Sequence, residues 1–227
     1  LNKLYFVTDN IGYMVSSAYR SWMGYALGSS VYRNYSRDFE KLLKTTDGGQ
    51  TWTSKADVEF PPTGSRDYSL PNFELIPFIY FLNENEGWIN KLQQAGENRW
   101  GTPIYIARWC KTNDGGSTFT NMNYDWKPKK MQFVDQSTGF CLADNNKIYK
   151  STDRGNNWNL IKEGDAYDGL HFLNSNYGFI VGGNGLIYKT TNGGNSWASQ
   201  YSGSQKGFSS IYLVNENIAY AAGSGIA

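Results

Sequence analysis

Short apolar runs alternate with polar, glycine-bearing turns along the whole chain. Phe6-Val7-Thr8-Asp9-Asn10-Ile11-Gly12-Tyr13 returns as Phe81-Leu82-Asn83-Glu84-Asn85-Glu86-Gly87-Trp88, as Phe133 to Phe140 and as Phe172 to Phe179. A fifth copy, Leu213 to Tyr220, stands near the C-terminus. Each copy reads as a strand, a polar turn and a second strand that opens on a Gly-aromatic or Ala-aromatic pair. A third apolar run follows, as in Ile148-Tyr149-Lys150 and Leu186-Ile187-Tyr188-Lys189, and a fourth follows a tryptophan, as in Asn159-Leu160-Ile161. Four short strands per unit, with a 39-residue step from Phe133 to Phe172, predict an all-β chain of four-stranded antiparallel blades, a β-propeller.

Between the third and fourth runs lies an octet, Ser/Thr-x-Asp/Asn-x-Gly-x-x-Trp/Phe, present four times. The copies begin at Thr45, Thr112, Ser151 and Thr190 and place Asp47, Asp114, Asp153 and Asn192 at the third position. Trp52, Phe119, Trp158 and Trp197 close them. An Asp or Asn side chain can accept hydrogen bonds from backbone N–H groups further along, which closes a tight turn. Glycine serves where φ must be positive, and the closing aromatic gives the blade core a large apolar plate. The same residues recur in every copy, whereas a catalytic site is needed once, and Asn192 carries no charge. The octets therefore read as structural rather than metal-binding or catalytic.

Blades are predicted at about 1–56, 75–124, 129–163 and 168–202, with a partial blade at 208–227, in one domain covering 1–227. This is four full blades and half of a fifth. The expected parent is a propeller of six to eight blades, with a self-contained five-bladed ring as the alternative.

Composition adds exclusions. A net charge of +1 gives no reason to expect nucleic acid, and no apolar run approaches the ~20 residues of a membrane-spanning helix. Cys110 and Cys141 have no Cys or His at ligand spacing, so a zinc site is not expected; buried thiols are the first reading and a disulfide the second. His171, the one histidine, falls in a strand column with Tyr5, Tyr80, Gln132 and Tyr212, which leaves no Ser-His-Asp triad to build. No cofactor is implied, and copy number is left open.

The repeats are broken in the first two blades. The link between the second and third strands of blade one is expected from about Ser16 to Glu40, with Tyr19, Arg20, Trp22, Tyr25, Tyr32, Arg33, Tyr35 and Arg37. The matching link of blade two, about Asn90 to Pro103, carries Glu97, Arg99 and Trp100. The connection between these blades, about Thr53 to Pro77, carries Arg66, Asp67, Tyr68 and Glu74. In an up-and-down blade all three insertions fall on the face opposite the octets. Aromatic and arginine side chains there suit a binding surface for protein or carbohydrate, although they also suit packing of the insertions onto the blades. A glycoside hydrolase would need two carboxyls ~5–9.5 Å apart, for which Asp67, Glu74 and Glu97 are the candidates.

The octets resemble the Asp-box, or bacterial neuraminidase repeat. The longer unit from His171-Phe172-Leu173 through Gly178-Phe179 to Trp197 is similar to the photosystem II assembly and stability factor propellers and their relatives in non-photosynthetic bacteria. That resemblance implies a seven-bladed propeller located in the lumen, periplasm or outside the cell, acting by binding a partner protein rather than as an enzyme. Sialidases and xyloglucanases carry the octet too, so a glycoside hydrolase is the second function the resemblance implies.

Overall fold

A computed structural model describes residues 3–20, 37–58, 78–97, 99 and 103–223. Two compact units divide the chain, Leu1–Tyr124 and Asp125–Ala227.

The first unit holds two four-stranded antiparallel sheets. Blade one is β1 (Lys3–Phe6), β2 (Gly12–Arg20), β3 (Arg37–Thr45) and β4 (Thr53–Val58). Blade two is β5 (Ile79–Phe81), β6 (Gly87–Glu97), β7 (Pro103–Thr112) and β8 (Thr120–Asn121). In the second unit, blade three comprises β9 (Pro128–Phe133), β10 (Gly139–Ala143), β11 (Ile148–Ser151) and β12 (Asn159–Lys162). Blade four comprises β13 (Tyr167–Phe172), β14 (Gly178–Gly182), β15 (Ile187–Thr190) and β16 (Ala198–Ser199). A two-stranded half-blade, β17 (Ser210–Asn215) and β18 (Ile218–Ala222), follows. Every sheet runs in simple sequence order, and the chain is a partial β-propeller of four full blades and half of a fifth.

The strands bury the columns that the repeat aligns. First strands of adjacent blades lie beside one another, β1 by β5 and β9 by β13 by β17. Within each unit the seams are closed by a second-strand aromatic that meets the next blade's first strand. Tyr13 stacks on Phe81 with centroids 3.5 Å apart and planes 2° apart. Phe140 stacks on Phe172, and Phe179 packs in the cluster that contains Leu213. Removing this much aromatic surface from water is the dominant stabilising term for such a fold.

Polar side chains stitch the same seams. Gln132 Nε2 donates to the Phe172 carbonyl at 2.9 Å while its Oε1 accepts from Phe172 N–H at 2.8 Å. His171 occupies the corresponding place one blade on, its Nδ1 accepting from Leu213 N–H at 3.3 Å. The Tyr13 hydroxyl donates to the Glu84 carbonyl at 2.6 Å, and burial raises its pKa, so the phenol keeps the proton it donates.

The structure corrects the boundaries expected in the first two blades. What the sequence pattern assigns to links from Ser16 and Asn90 is in part strand. β2 and β3 stay paired out to Arg20↔Arg37, and β6 and β7 out to Glu97↔Pro103. β4 likewise takes up Thr53–Val58 at the start of the expected interblade connection. Ser16-Ser17 in β2 and Gln93-Gln94 and Gly96 in β6 interrupt the alternation that marks a half-buried strand, so the sequence pattern alone does not define these extensions.

Candidate functional site: the octet turns and the projecting ribbons

Each octet folds into the same hydrogen-bonded turn. In blade one the Thr45 hydroxyl donates to Asp47 Oδ1 at 2.7 Å and accepts from Gly49 N–H at 2.9 Å. Asp47 then accepts from Thr51 N–H and from the Thr51 hydroxyl, at 2.9 and 2.6 Å. The Trp52 indole N–H closes on the Gly49 carbonyl at 3.0 Å. Asp114 and Asp153 repeat the arrangement with Thr118 and Asn157 as donors. Asn192 repeats it without charge, accepting from Ser196 N–H at 2.9 Å and donating to the Ser196 hydroxyl at 2.8 Å.

These bonds hold the carboxylates ionised. The Thr51 hydroxyl and N–H draw Asp47 down to about 2, and Thr118 does the same to Asp114. At Asp153 burial pushes upward, but the bonds from Asn157 and Ser151 outweigh it and the pKa is lowered. A carboxylate whose lone pairs are taken by its own turn makes a poor general acid or base. Among the described residues no group of three or more His, Cys, Asp or Glu is placed to hold a metal ion.

The preceding turn joins the octet. Asn83, Asp135, Asn174 and Asn215 each accept two N–H bonds with one side-chain oxygen, closing the turn between first and second strands. Across each full blade the octet's fourth residue donates its N–H to that turn: Gly48 to Asn10, Gly115 to Asn85, Arg154 to Ser137 and Gly193 to Asn176. The fourth residue has φ near +70°, and Arg154, at +61°, is the one copy without glycine there. At Gly193 a Cβ would stand 2.5 Å from the Ser175 carbonyl oxygen. Both turns thus lie clasped together on one face of the blade, and the ends between second and third strands lie on the other.

On that other face blades one and two differ from three and four. β2, β3, β6 and β7 have nine, nine, eleven and ten residues, against four or five in β10, β11, β14 and β15. At ~3.3 Å per residue the additional length carries each hairpin about 13 to 20 Å beyond a minimal blade. Within the first unit Tyr13 and Glu84, both at the clasped ends of their blades, touch, so the two ribbons project to the same side.

Tyr19 and Arg20 lie at the tip of β2 and Arg37 at the start of β3, with pairs Tyr19↔Asp38 and Arg20↔Arg37. Glu97 ends β6, and Arg99 is exposed in the turn beyond it. Trp22, Tyr25, Tyr32, Arg33, Tyr35, Arg66, Asp67, Tyr68, Glu74 and Trp100 lie outside the described residues. The structure therefore brings Tyr19, Arg20 and Arg37 to one ribbon tip and Glu97 and Arg99 to the other.

Both cysteines are buried. Burial pushes the Cys141 thiol well up, so it stays protonated. Cys110 Sγ lies 3.2 Å from Asn121 Oδ1.

A recurrent lysine is legible in each copy but carries no signal of its role in sequence. Lys44, Lys111, Lys150 and Lys189 precede the octets and stand opposite Tyr13, Trp88, Phe140 and Phe179 across the ladder. Each ammonium lies over an aromatic ring of that column, at 5.4, 5.2, 5.3 and 5.8 Å from the centroid. Lys44 and Lys150 also reach the next blade, donating to the Glu84 carbonyl at 3.2 Å and to the Ser175 carbonyl at 3.3 Å. The cation–π contact and the seam bond together explain why a long cation, and not an aliphatic residue, holds this position.

The fold has solved counterparts. A structure of YCF48 bound to D1 peptide superposes on 92% of this chain and 55% of its own, with a TM-score of 0.51 and 16% identity. YCF48 from Cyanidioschyzon merolae gives 0.51 at 12% identity, over 93% of this chain and 59% of its own. The GH74 enzyme of Niastella koreensis gives 0.45 at 15% identity, over 92% and 41%. The chain spans a little over half the length of the YCF48 structures. At these identities the YCF48 likeness establishes the propeller fold and nothing finer. No family model matches the chain, and no curated protein matches it.

Proposed function

We propose that the chain is part of a non-enzymatic propeller of the Asp-box type, located outside the cytoplasm, which binds a protein partner through the ribbons of its first two blades. The observation that carries this reading is the selective doubling of β2, β3, β6 and β7 on one face, while the seams and octets keep their repeat geometry. The β5 pairing on β6 covers Gly87 to Ile89 and the β8 pairing on β7 covers Cys110 and Lys111, so the ribbon extends past both, and strand addition is the mode by which an extended peptide would pair there. Arginines at both tips suit a partner bearing carboxylates. YCF48, which shares the fold, has been solved with a peptide bound, which favours a protein over a glycan. The location outside the cytoplasm rests on the octet resemblance.

The test is selection of random displayed peptides on the protein, followed by affinity measurement on Tyr19→Ala, Arg37→Ala and Arg99→Ala. The reading expects acidic, extended peptides whose affinity falls about tenfold when a tip residue is removed, a loss of about 1.4 kcal/mol. It is sunk if no peptide is selected, or if the tip variants bind as well as the parent. Release of reducing ends from a polysaccharide panel, abolished by Asp67→Ala or Glu74→Ala, would establish a glycoside hydrolase instead.

A further inference from the structure

Blade two differs from the other blades at its clasped end. The turn between β5 and β6 carries Asn83 and Glu86, and the lysine that precedes the octet is Lys111. At the position of Glu86 the other copies of the turn have Ile11, Thr138, Tyr177 and Ile218, so blade two alone places a carboxylate there.

The Lys111 side chain is 5% exposed and that of Glu86 16%. The Lys111 ammonium lies 5.2 Å from the centroid of the Trp88 ring and 4.0 Å from Glu86 Oε1. The other carboxylate oxygen, Oε2, accepts from Asn83 Nδ2 at 2.8 Å. One carboxylate therefore stands between a buried amine and a side-chain amide. The amide oxygen is held as well: Asn83 Oδ1 accepts from Asn85 N–H and from Glu86 N–H, both at 2.9 Å. These are the parts of an acyl transfer. A nucleophile stands beside a base, two donors face the oxygen where charge develops, and the same carboxylate reaches the leaving nitrogen.

We propose that Lys111 and Asn83 are joined by an isopeptide bond, formed within the chain with Glu86 as the catalytic carboxylate. Glu86 takes a proton from the Lys111 ammonium, and the freed lone pair of Nζ attacks Asn83 Cγ. Charge gathers on Oδ1, where the two N–H donors stabilise it. Glu86 passes its proton to Nδ2, the Cγ–Nδ2 bond breaks and ammonia leaves. Nζ then gives up a second proton, which departs with the ammonia as ammonium. The step consumes no oxidant, cofactor or second substrate. The bond closes a loop that contains the whole β6–β7 ribbon, so the clasped end beneath that ribbon cannot open, and the unfolded chain loses freedom as with any long cross-link. This chemistry uses neither the ribbon tips nor their partner and stands apart from the function proposed above.

Blade four supplies an internal control. Asn174 and Lys189 stand where Asn83 and Lys111 do, but Tyr177 takes the place of Glu86. Mass spectrometry of the intact chain is the test. The expected mass is below the sequence mass by one ammonia. Peptide mapping should show a branched peptide joining Asn83 to Lys111, no tryptic cut after Lys111, and no branch joining Asn174 to Lys189. Glu86→Gln and Lys111→Arg should each show the full mass of the variant sequence. A parent chain of full mass would overturn the proposal, as would an ammonia loss mapped elsewhere or a branch that persists in Glu86→Gln. The parent's own mass and map decide the matter even where a variant fails to fold.

Discussion

Phe140 lies flat on Phe172 across the seam between the third and fourth blades, with ring centroids 3.5 Å apart and planes 4° apart. Phe172 meets Trp197 of its own octet edge-on at 6.1 Å, so one ring links a seam to a turn. Gly178 makes room for it, since a Cβ there would fall 2.2 Å from the Phe172 ring. The aromatic columns are therefore coupled to glycines as well as to each other.

Phe172→Ala should cost about 3 to 5 kcal/mol, as expected for emptying a buried aromatic site that its neighbours cannot collapse into. Phe172→Leu should cost about 1 to 2 kcal/mol, because Leu213 fills the equivalent place one seam on. Urea unfolding followed by tryptophan fluorescence measures both. A loss below about 1 kcal/mol for the alanine variant would show that the seam is not the stabilising contact described.

At the octets the decisive comparison is Asp153→Asn against Asp153→Ala. Asn192 shows that an amide makes the same turn, so the asparagine variant should lie within about 0.5 kcal/mol of the parent. The alanine variant strips the acceptor from the Asn156 and Asn157 N–H groups and should cost about 1 to 2 kcal/mol. Equal losses in the two variants would restore a charge-dependent role to the octet.

Acid should unfold the protein in two separable steps. Asp47 and Asp114 titrate at about 2 in the fold, against 3.8 for an unperturbed aspartate, so their contribution is complete above pH 4 and is lost as pH falls toward 2. His171 is also lowered, by burial, from 6.5. Its stabilisation is therefore complete above pH 6.5 and declines below it, because the unfolded chain takes up the proton more readily. Protonation also removes the lone pair that Leu213 N–H uses. His171→Gln, which copies Gln132, should flatten thermal stability between pH 6.5 and 5 and leave the slope near pH 3 intact. Double replacement of Asp47 and Asp114 by Asn should do the reverse. A variant that leaves both slopes unchanged would refute the assignment for that residue.

The blades were legible because their signals are local and repeated: an acceptor side chain, a glycine and an aromatic recur at fixed offsets in each copy. Register within the sheets follows from the same columns. The ribbons were not legible to their full length. Lys91 to Glu97 reads Lys-Leu-Gln-Gln-Ala-Gly-Glu, without strict alternation, and in β2 Ser16-Ser17 interrupts the apolar run after Val15. Pairing there is specified by backbone and hairpin geometry, which composition does not encode. The lysine column was visible as a letter in each copy, but its partners come from a neighbouring strand and the next blade, and no spacing in the chain announces that. The aromatic and arginine positions at Tyr19, Arg20, Arg37 and Arg99 stand out in the sequence because they interrupt the aligned repeat.

The clasp between the two turns of each blade has an evolutionary side. A residue inserted among Asn10, Gly48 and their counterparts would break a bond that each full blade makes, whereas residue pairs added between the second and third strands lengthen a ladder and disturb no seam. In each full blade one end is thereby held to a fixed length and the other is free to grow, two residues at a time. New binding surfaces can accumulate at the free end of a blade without the rest of the sequence having to adjust.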